Sequence, residues 1–372
     1  MRLSIRVRLV MALLVVTAAP AAAQGRWLAN YYPYIASGPN TFPLLGARFD
    51  YRRDAEWDDP WLSDGSLAAT LALGFDGSQM ATLAFRAPGL WKNWRLFAEG
   101  IGIKDARMGY YGIGNDSPFD QSLQDSNGNY YRVERGRVGG RVEVTRRLLG
   151  HLELAGGGGI VGTRFSALPS PTLFGTTVGQ QLDETDITGS LRLIFDTRDR
   201  EYNPTRGTLL EAGGVVGDGY GRFYGEARGF VSPFVSTVVA GRLTAVSTGG
   251  TPPLSSFYQL QLWEDSRFQY GGQETNRGLA GGRRIDADQL SASLEVRQTI
   301  IDVGDFGAVG VIGFVDAGRV FPQGELSLTT DGVVVTGGGG LLFRALKAGV
   351  MTLNFAGGPE GFVFSATTGW SF

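Results

Sequence analysis

The sequence predicts an all-β protein, a transmembrane antiparallel β-barrel of about sixteen strands with an inward-folded loop between strands 11 and 12. Three observations predict the class. Many short segments alternate apolar and polar residues, so each has one apolar and one charged face, as a strand does. Glycine makes up 57 of 372 residues, beside 22 Phe, 13 Tyr and 7 Trp, a composition suited to tight turns and aromatic girdles. After residue 23 no apolar stretch is long enough to cross a membrane as a helix.

The elements follow in chain order. Met1–Arg8 holds three arginines and no acid, residues 9–19 are apolar apart from Thr17, and Pro20-Ala21-Ala22-Ala23 supplies small residues for cleavage. Residues 1–23 thus read as a secretory signal peptide, and 24–372 as one outer-membrane β-barrel domain. Residues 24–41 precede the first expected strand and are too few for a folded periplasmic domain. Strands are expected near 42–52, 67–76, 79–87, 94–103, 130–146, 151–165, 185–197 and 207–217. The second half continues near 222–231, 235–248, 257–268, 289–302, 307–320, 333–345, 349–357 and 361–371. An even count suits a closed single-chain barrel. The clearest segment is 289–297, where Leu290, Ala292, Leu294 and Val296 oppose Ser291, Ser293, Glu295 and Arg297. Longer connections fall near 104–129, 166–184, 269–288 and 321–332.

Composition excludes several functions. With no Cys there is no disulfide framework, thiolate metal site or Cys nucleophile. With one His there is no multi-histidine metal site, so no metal or other cofactor is expected. A net charge of −2 argues against a nucleic-acid partner. The lone His151 opens a strand at a barrel rim, and Gly156–Gly159 lies within a strand pattern without the Lys and helix of a phosphate loop. The chain is therefore expected not to be an enzyme. Its surroundings are expected to be the lipids of a Gram-negative outer membrane.

Three motifs carry a resemblance. Asp196-Thr197-Arg198-Asp199 with Pro204 and Gly207 resembles a D-x-R-D…P-x-x-G signature. Gly271-Gly272 followed by Asn276-Arg277-Gly278-Leu279 resembles a Gly-Gly…Arg-Gly-aromatic loop tip. Phe314-Val315-Asp316-Ala317-Gly318 resembles an F-x-D-x-G strand. Their order and spacing resemble the bacterial surface antigen family, the BamA/TamA-type outer-membrane barrels, over essentially the whole mature chain. Two positions depart from the family pattern: Asn276 stands where Val or Ile is usual, and Leu279 where Phe or Tyr is usual.

From the residues alone, Arg277 reads equally well as a solvated loop arginine. The resemblance implies that it enters the lumen and pairs with Asp316, with Glu295 as a second acid, Gly278 allowing close approach. Asp196, Arg198, Asp199 and Arg206 could form a charge network, though a structured hairpin turn is the simpler reading. Arg141, Glu143, Arg192, Glu226, Arg228, Arg242 and Arg297 are expected in the lumen. Phe362, Phe364, Trp370 and Phe372 are expected on one face of a final strand that resembles the signal read by barrel-assembly machinery. The resemblance further implies insertion or translocation of proteins or lipids. The chain departs from the family further in that the expected domains include no periplasmic POTRA repeats; a separate periplasmic partner supplying them would favour the insertion or translocation reading. A passive pore or structural barrel is the alternative.

Overall fold

A computed structural model describes residues 26–36, 44–56, 59–258, 269–345 and 349–372. The expected signal peptide lies outside the described residues. Sixteen strands form one sheet: β1 (Trp27–Ala36), β2 (Leu44–Asp54), β3 (Ser63–Leu73), β4 (Gln79–Trp91), β5 (Trp94–Gly109), β6 (Arg132–Leu149), β7 (Leu152–Ala167) and β8 (Gln181–Asp196). The second half comprises β9 (Gly207–Gly217), β10 (Tyr220–Phe234), β11 (Thr237–Gly250), β12 (Asp288–Asp302), β13 (Gly307–Phe321), β14 (Val334–Ala345), β15 (Gly349–Gly358) and β16 (Gly361–Thr368). Each strand pairs antiparallel with the next, and no register among the described residues joins β16 back to β1. The longer connections, β5–β6, β7–β8, β11–β12 and β13–β14, gather at one end of the barrel, and short turns such as 92–93, 150–151 and 235–236 mark the other.

Alternation sets the faces. Along β12, Ser291, Ser293, Glu295 and Arg297 are buried, while Ala292, Leu294 and Val296 are exposed. In β6, Glu143 and Thr145 turn inward and Val138, Val142 and Val144 outward. Outward aliphatic side chains meet lipid, and the enclosed face holds paired charges. The expected lumenal charges do pair: Arg192 bonds Glu143 and reaches Glu211 at 3.1 Å, and Arg228 lies 2.5 Å from Glu226. Arg141 stacks over Phe97, 4.5 Å from the ring centroid.

The strand count matches the expectation, but its composition differs at two places. Residues 27–36 form β1, although the sequence reading took 24–41 as a lead-in without a strand. Pro33 and the adjacent Tyr31-Tyr32 hide the alternation there, and an edge strand tolerates a proline. The strand expected at 257–268 lies, apart from Phe257 and Tyr258, outside the described residues. Phe257 and Tyr258 end a short 3₁₀ turn, Leu254–Tyr258. Between β11 and β12 the described residues are 251–258 and 269–287. The first of these segments packs Leu254 and Tyr258 with Tyr110, Val133, Phe165, Phe174 and Ile285, an apolar cap at the loop end of the lumen.

The chain end differs as well. β16 stops at Thr368, and Gly369 has φ +97°, a left-handed conformation that breaks the strand. Phe362 and Phe364 stay outward, 95% and 59% exposed, whereas Phe372 is buried at 7% beside Phe230 and Ala240. The four aromatics therefore do not share one face, because the turn at Gly369 carries Trp370 and Phe372 inside.

Candidate functional site

The β11–β12 loop descends into the lumen and delivers Arg277 to the wall made by β12 and β13. Register puts Ser293 opposite Asp316 and Glu295 opposite Phe314, so the two acids sit diagonally across one ladder. Both face inward because each occupies an inward phase of its strand. Arg277 spans them. Its Nε and Nη2 donate to Asp316 Oδ2 and Oδ1 at 2.9 and 2.8 Å, and its backbone N–H donates to the same carboxylate at 3.0 Å. Its Nη1 donates to Glu295 Oε2 at 2.5 Å. The guanidinium also lies 3.5 Å from the centroid of Phe314.

Glu295 is shared. Arg297, two residues along the same strand, donates Nε to Glu295 Oε1 at 2.6 Å. Two guanidiniums and two carboxylates thus form a neutral cluster whose side chains are at most 3% exposed. Desolvation makes each charge depend on its partners, and a planar fork matches carboxylates better than a point charge would.

The loop tip is held by residues the family pattern does not supply. Asn276 Nδ2 donates to the Tyr270 hydroxyl at 2.7 Å, and Asn276 Oδ1 accepts from Thr336 Oγ1 at 2.6 Å and from the Gly278 amide at 3.2 Å. Leu279 is buried with Tyr270, Val320 and Val334. The two departures are thus accommodated, one as a polar hub and the other as core. Tyr270 also explains the last residue of F-x-D-x-G: a Cβ on Gly318 would lie 2.6 Å from the Tyr270 ring. Gly278 lies directly against the Thr336 side chain.

The D-x-R-D segment lies elsewhere, in the β8–β9 turn at the opposite end. Asp196 takes a fork from Arg198 at 3.0 and 2.8 Å. Asp199 accepts from the Thr205 hydroxyl at 2.6 Å and from the amides of Arg200, Thr205 and Arg206 at 2.9–3.2 Å. Burial alone would raise the Asp199 pKa, but these donors outweigh it and hold the carboxyl below its usual range. Pro204 is buried in this turn, and Gly207 begins β9 in a left-handed conformation, φ +102°. This is the structured turn, with the Arg206 side chain exposed rather than in the network. His151 is exposed in the β6–β7 turn, edge-on to Phe195.

The tail supplies contacts that sequence reasoning missed. Arg297 stacks on Trp370 at 3.6 Å, Arg242 on Phe372 at 5.0 Å, and Arg277 Nη1 donates to Ser371 Oγ at 3.4 Å. Trp370 Nε1 donates to Asn203 in the β8–β9 turn at 3.1 Å. Arg283 in the loop was also missed; it pairs with Glu360 at 2.8 Å and with Ser117 at 2.8 Å. No local pattern marks these residues, since each contact joins distant parts of the chain.

The Omp85 superfamily domain matches residues 66–344, so the chain belongs to that superfamily. Among solved structures, BamA from Haemophilus ducreyi lacking POTRA domains 1–3 matches with a TM-score of 0.58 at 15% identity, over 92% of this chain and 70% of that one. CdiB from Escherichia coli matches with a TM-score of 0.56 at 9% identity, over 91% of this chain and 61% of that one. CdiB from Acinetobacter baumannii matches with a TM-score of 0.50 at 10% identity, over 91% of this chain and 59% of that one. The chain thus spans about three-fifths of the CdiB structures, and these likenesses establish the barrel fold. No curated protein sequence matches the chain.

Proposed function

We propose that the protein acts in the insertion or translocation of polypeptides or lipids at the outer membrane of a Gram-negative bacterium, as a non-enzymatic barrel. Superfamily membership supports this at the general level of an insertion or translocation barrel. One observation favours it over a passive pore. The middle of the lumen is filled, with Arg277, Glu295 and Asp316 at 2%, 0% and 1% exposure, whereas a conducting channel would keep such charges wet. A client would leave sideways, between β1 and β16, the two edges that no register joins among the described residues. Barrel-assembly machinery would build the protein itself, and a separate periplasmic protein would deliver clients.

The test is depletion from the native host. Loss of other outer-membrane barrels, or of surface lipid, is the expected result, together with very low conductance of the purified protein in planar bilayers. Unchanged envelope composition combined with large, constitutive conductance would instead establish the passive pore.

A further inference from the structure

The loop end of the barrel holds a cavity of about 470 Å³, a size that suits a small organic ligand. Two groups of opposite charge line it, Arg284 from the β11–β12 loop and Asp116 from the β5–β6 loop. They do not neutralise each other. Among the described residues, the Arg284 guanidinium has neither a salt bridge nor a hydrogen bond. Only its Nε is enclosed by protein; the two terminal nitrogens keep accessible surface. The backbone fixes where it stands, since Arg284 N–H donates to Tyr270 O at 2.9 Å and Tyr270 N–H donates to Arg284 O at 3.0 Å. The neighbouring acid is committed: Glu360 takes a fork from Arg283, with both contacts at 2.8 Å. Desolvation and the adjacent Arg283 both disfavour a cation without a counterion there. Asp116 is exposed and accepts from Asn115 Nδ2 at 3.2 Å through one oxygen, which leaves the other for a ligand.

A ligand that satisfies both groups carries an anion for Arg284 and hydrogen-bond donors for Asp116. A bare phosphate would meet the arginine but be repelled by the carboxylate. An amino acid would bring the three donors of its ammonium to a single acceptor group. Val334, Val335 and Pro359 line the rest of the cavity with carbon, a surface for the C–H face of a sugar ring. Long loops mark the outer side of an outer-membrane barrel. Val335 is 59% exposed on the lipid-facing phase of β14 while Val334 beside it is buried, so the cavity sits at the rim, level with the outer-leaflet headgroups. We propose that this cavity binds an acidic sugar, a saccharide unit carrying a carboxylate, presented at the cell surface. The carboxylate meets the terminal nitrogens of Arg284, ring hydroxyls donate to Asp116, and the apolar ring face lies on Val334 and Pro359. This holds whether or not the barrel acts in insertion or translocation.

The probe is trigalacturonate, compared with its fully methyl-esterified form, which keeps the rings and their hydroxyls and lacks the charge. Binding to the full-length protein in detergent micelles is followed by isothermal titration calorimetry. The acid should bind saturably and about tenfold tighter than the ester. Arg284→Gln should remove that preference, with heat-modifiable gel mobility unchanged to show an intact barrel. Asp116→Ala should weaken the acid roughly fivefold, the worth of one hydrogen bond. Equal binding of acid and ester by the wild type overturns the proposal without recourse to any variant, as does an acid preference that survives Arg284→Gln. Tighter binding of the acid by Asp116→Ala, or its displacement by equimolar inorganic phosphate, assigns a simple anion site and also overturns it. Displacement by equimolar alanine overturns it in favour of an amino acid. Competition by lipopolysaccharide in the micelle places the sugar on the outer-leaflet glycolipid, and its absence places it on a soluble saccharide; both support the proposal.

Discussion

Arg277, Asp316, Glu295 and Arg297 depend on one another because no solvent reaches them. Removing one member of a buried pair strands the other, at a typical cost of ~3–5 kcal/mol. Arg277→Ala and Asp316→Ala should each lower the urea midpoint of the heat-modifiable form by a corresponding amount. The double variant should fall well short of the sum, since the second change strands nothing new. Full additivity would mean that the contact carries no coupling. Arg277→Lys keeps the charge but loses the fork, so its stability should lie between wild type and Arg277→Ala. The β8–β9 turn gives a pH test. The Asp199 pKa is lowered in the folded state, so its contribution is present above the ordinary carboxylate range and lost as pH falls through the depressed value. Stability of the wild type should therefore decline below roughly pH 4. Asp199→Asn should be less stable at neutral pH and show a flatter acid limb in the same unfolding measurement; parallel curves would contradict the assignment.

Strands and tail make predictions of their own. Leu294 points outward from β12, 55% exposed, whereas Ser190 points inward from β8 opposite Gly157. An Arg on the lipid face near the mid-plane costs ~2–4 kcal/mol and much less in the lumen. Leu294→Arg should reduce the folded fraction sharply and Ser190→Arg only slightly, read from the heat-modifiable band; equal losses would mean that the faces are reversed. Ser293 is a poorer lumenal control than alternation suggests, because its register partners are Arg242 and Asp316. The tail should behave as a tertiary element. Phe372→Ala removes a buried ring and should cost about 3 kcal/mol. Gly369→Val opposes the left-handed turn and should release Trp370 to solvent, seen as a red shift in its fluorescence in a variant whose other tryptophans are replaced by Phe.

At the scale of the whole molecule, the apolar cap lies at one end of the barrel and the charge cluster lies at mid-lumen. Among the described residues no ladder joins the sheet's two edges, β1 and β16. The last strand belongs to that boundary and to the lumen together. Gln273 of the loop donates to Ala366 O at 3.2 Å, and Arg277 reaches Ser371 just beyond the strand. Weakening the cluster should therefore loosen both the plug and the strand edge. Arg277→Ala should raise bilayer conductance, and a Cys pair placed at 277 and 316 should suppress conductance when oxidised, since the chain contains no other thiol. Conductance equal to wild type in both variants would place the axial barrier elsewhere, in the cap around Phe165 and Tyr258.

Strand phase was legible in the sequence because it is local: period-two alternation assigns each residue of 289–297 to lipid or lumen without knowledge of any neighbour. The β8–β9 turn was legible for the same reason, as Asp199 finds all its donors within seven residues. Arg277 and its acids were reached through the resemblance, since nothing local distinguishes that arginine from a solvated one. Other features arose only with the tertiary structure. β1 hides its phase behind Pro33 and needs β2 as a template. Phe257 and Tyr258, which alternation assigns to the start of a strand, instead end a 3₁₀ turn against the apolar cap. The inward tail needs Arg242 and Arg297, more than 70 residues away, to receive Trp370 and Phe372. In the regularly alternating strands such as 289–297, local sequence was enough to fix which face each side chain takes, because backbone pleating acts on adjacent residues. Only the tertiary structure decided which buried charges meet, because that depends on register and on loops brought together across the lumen.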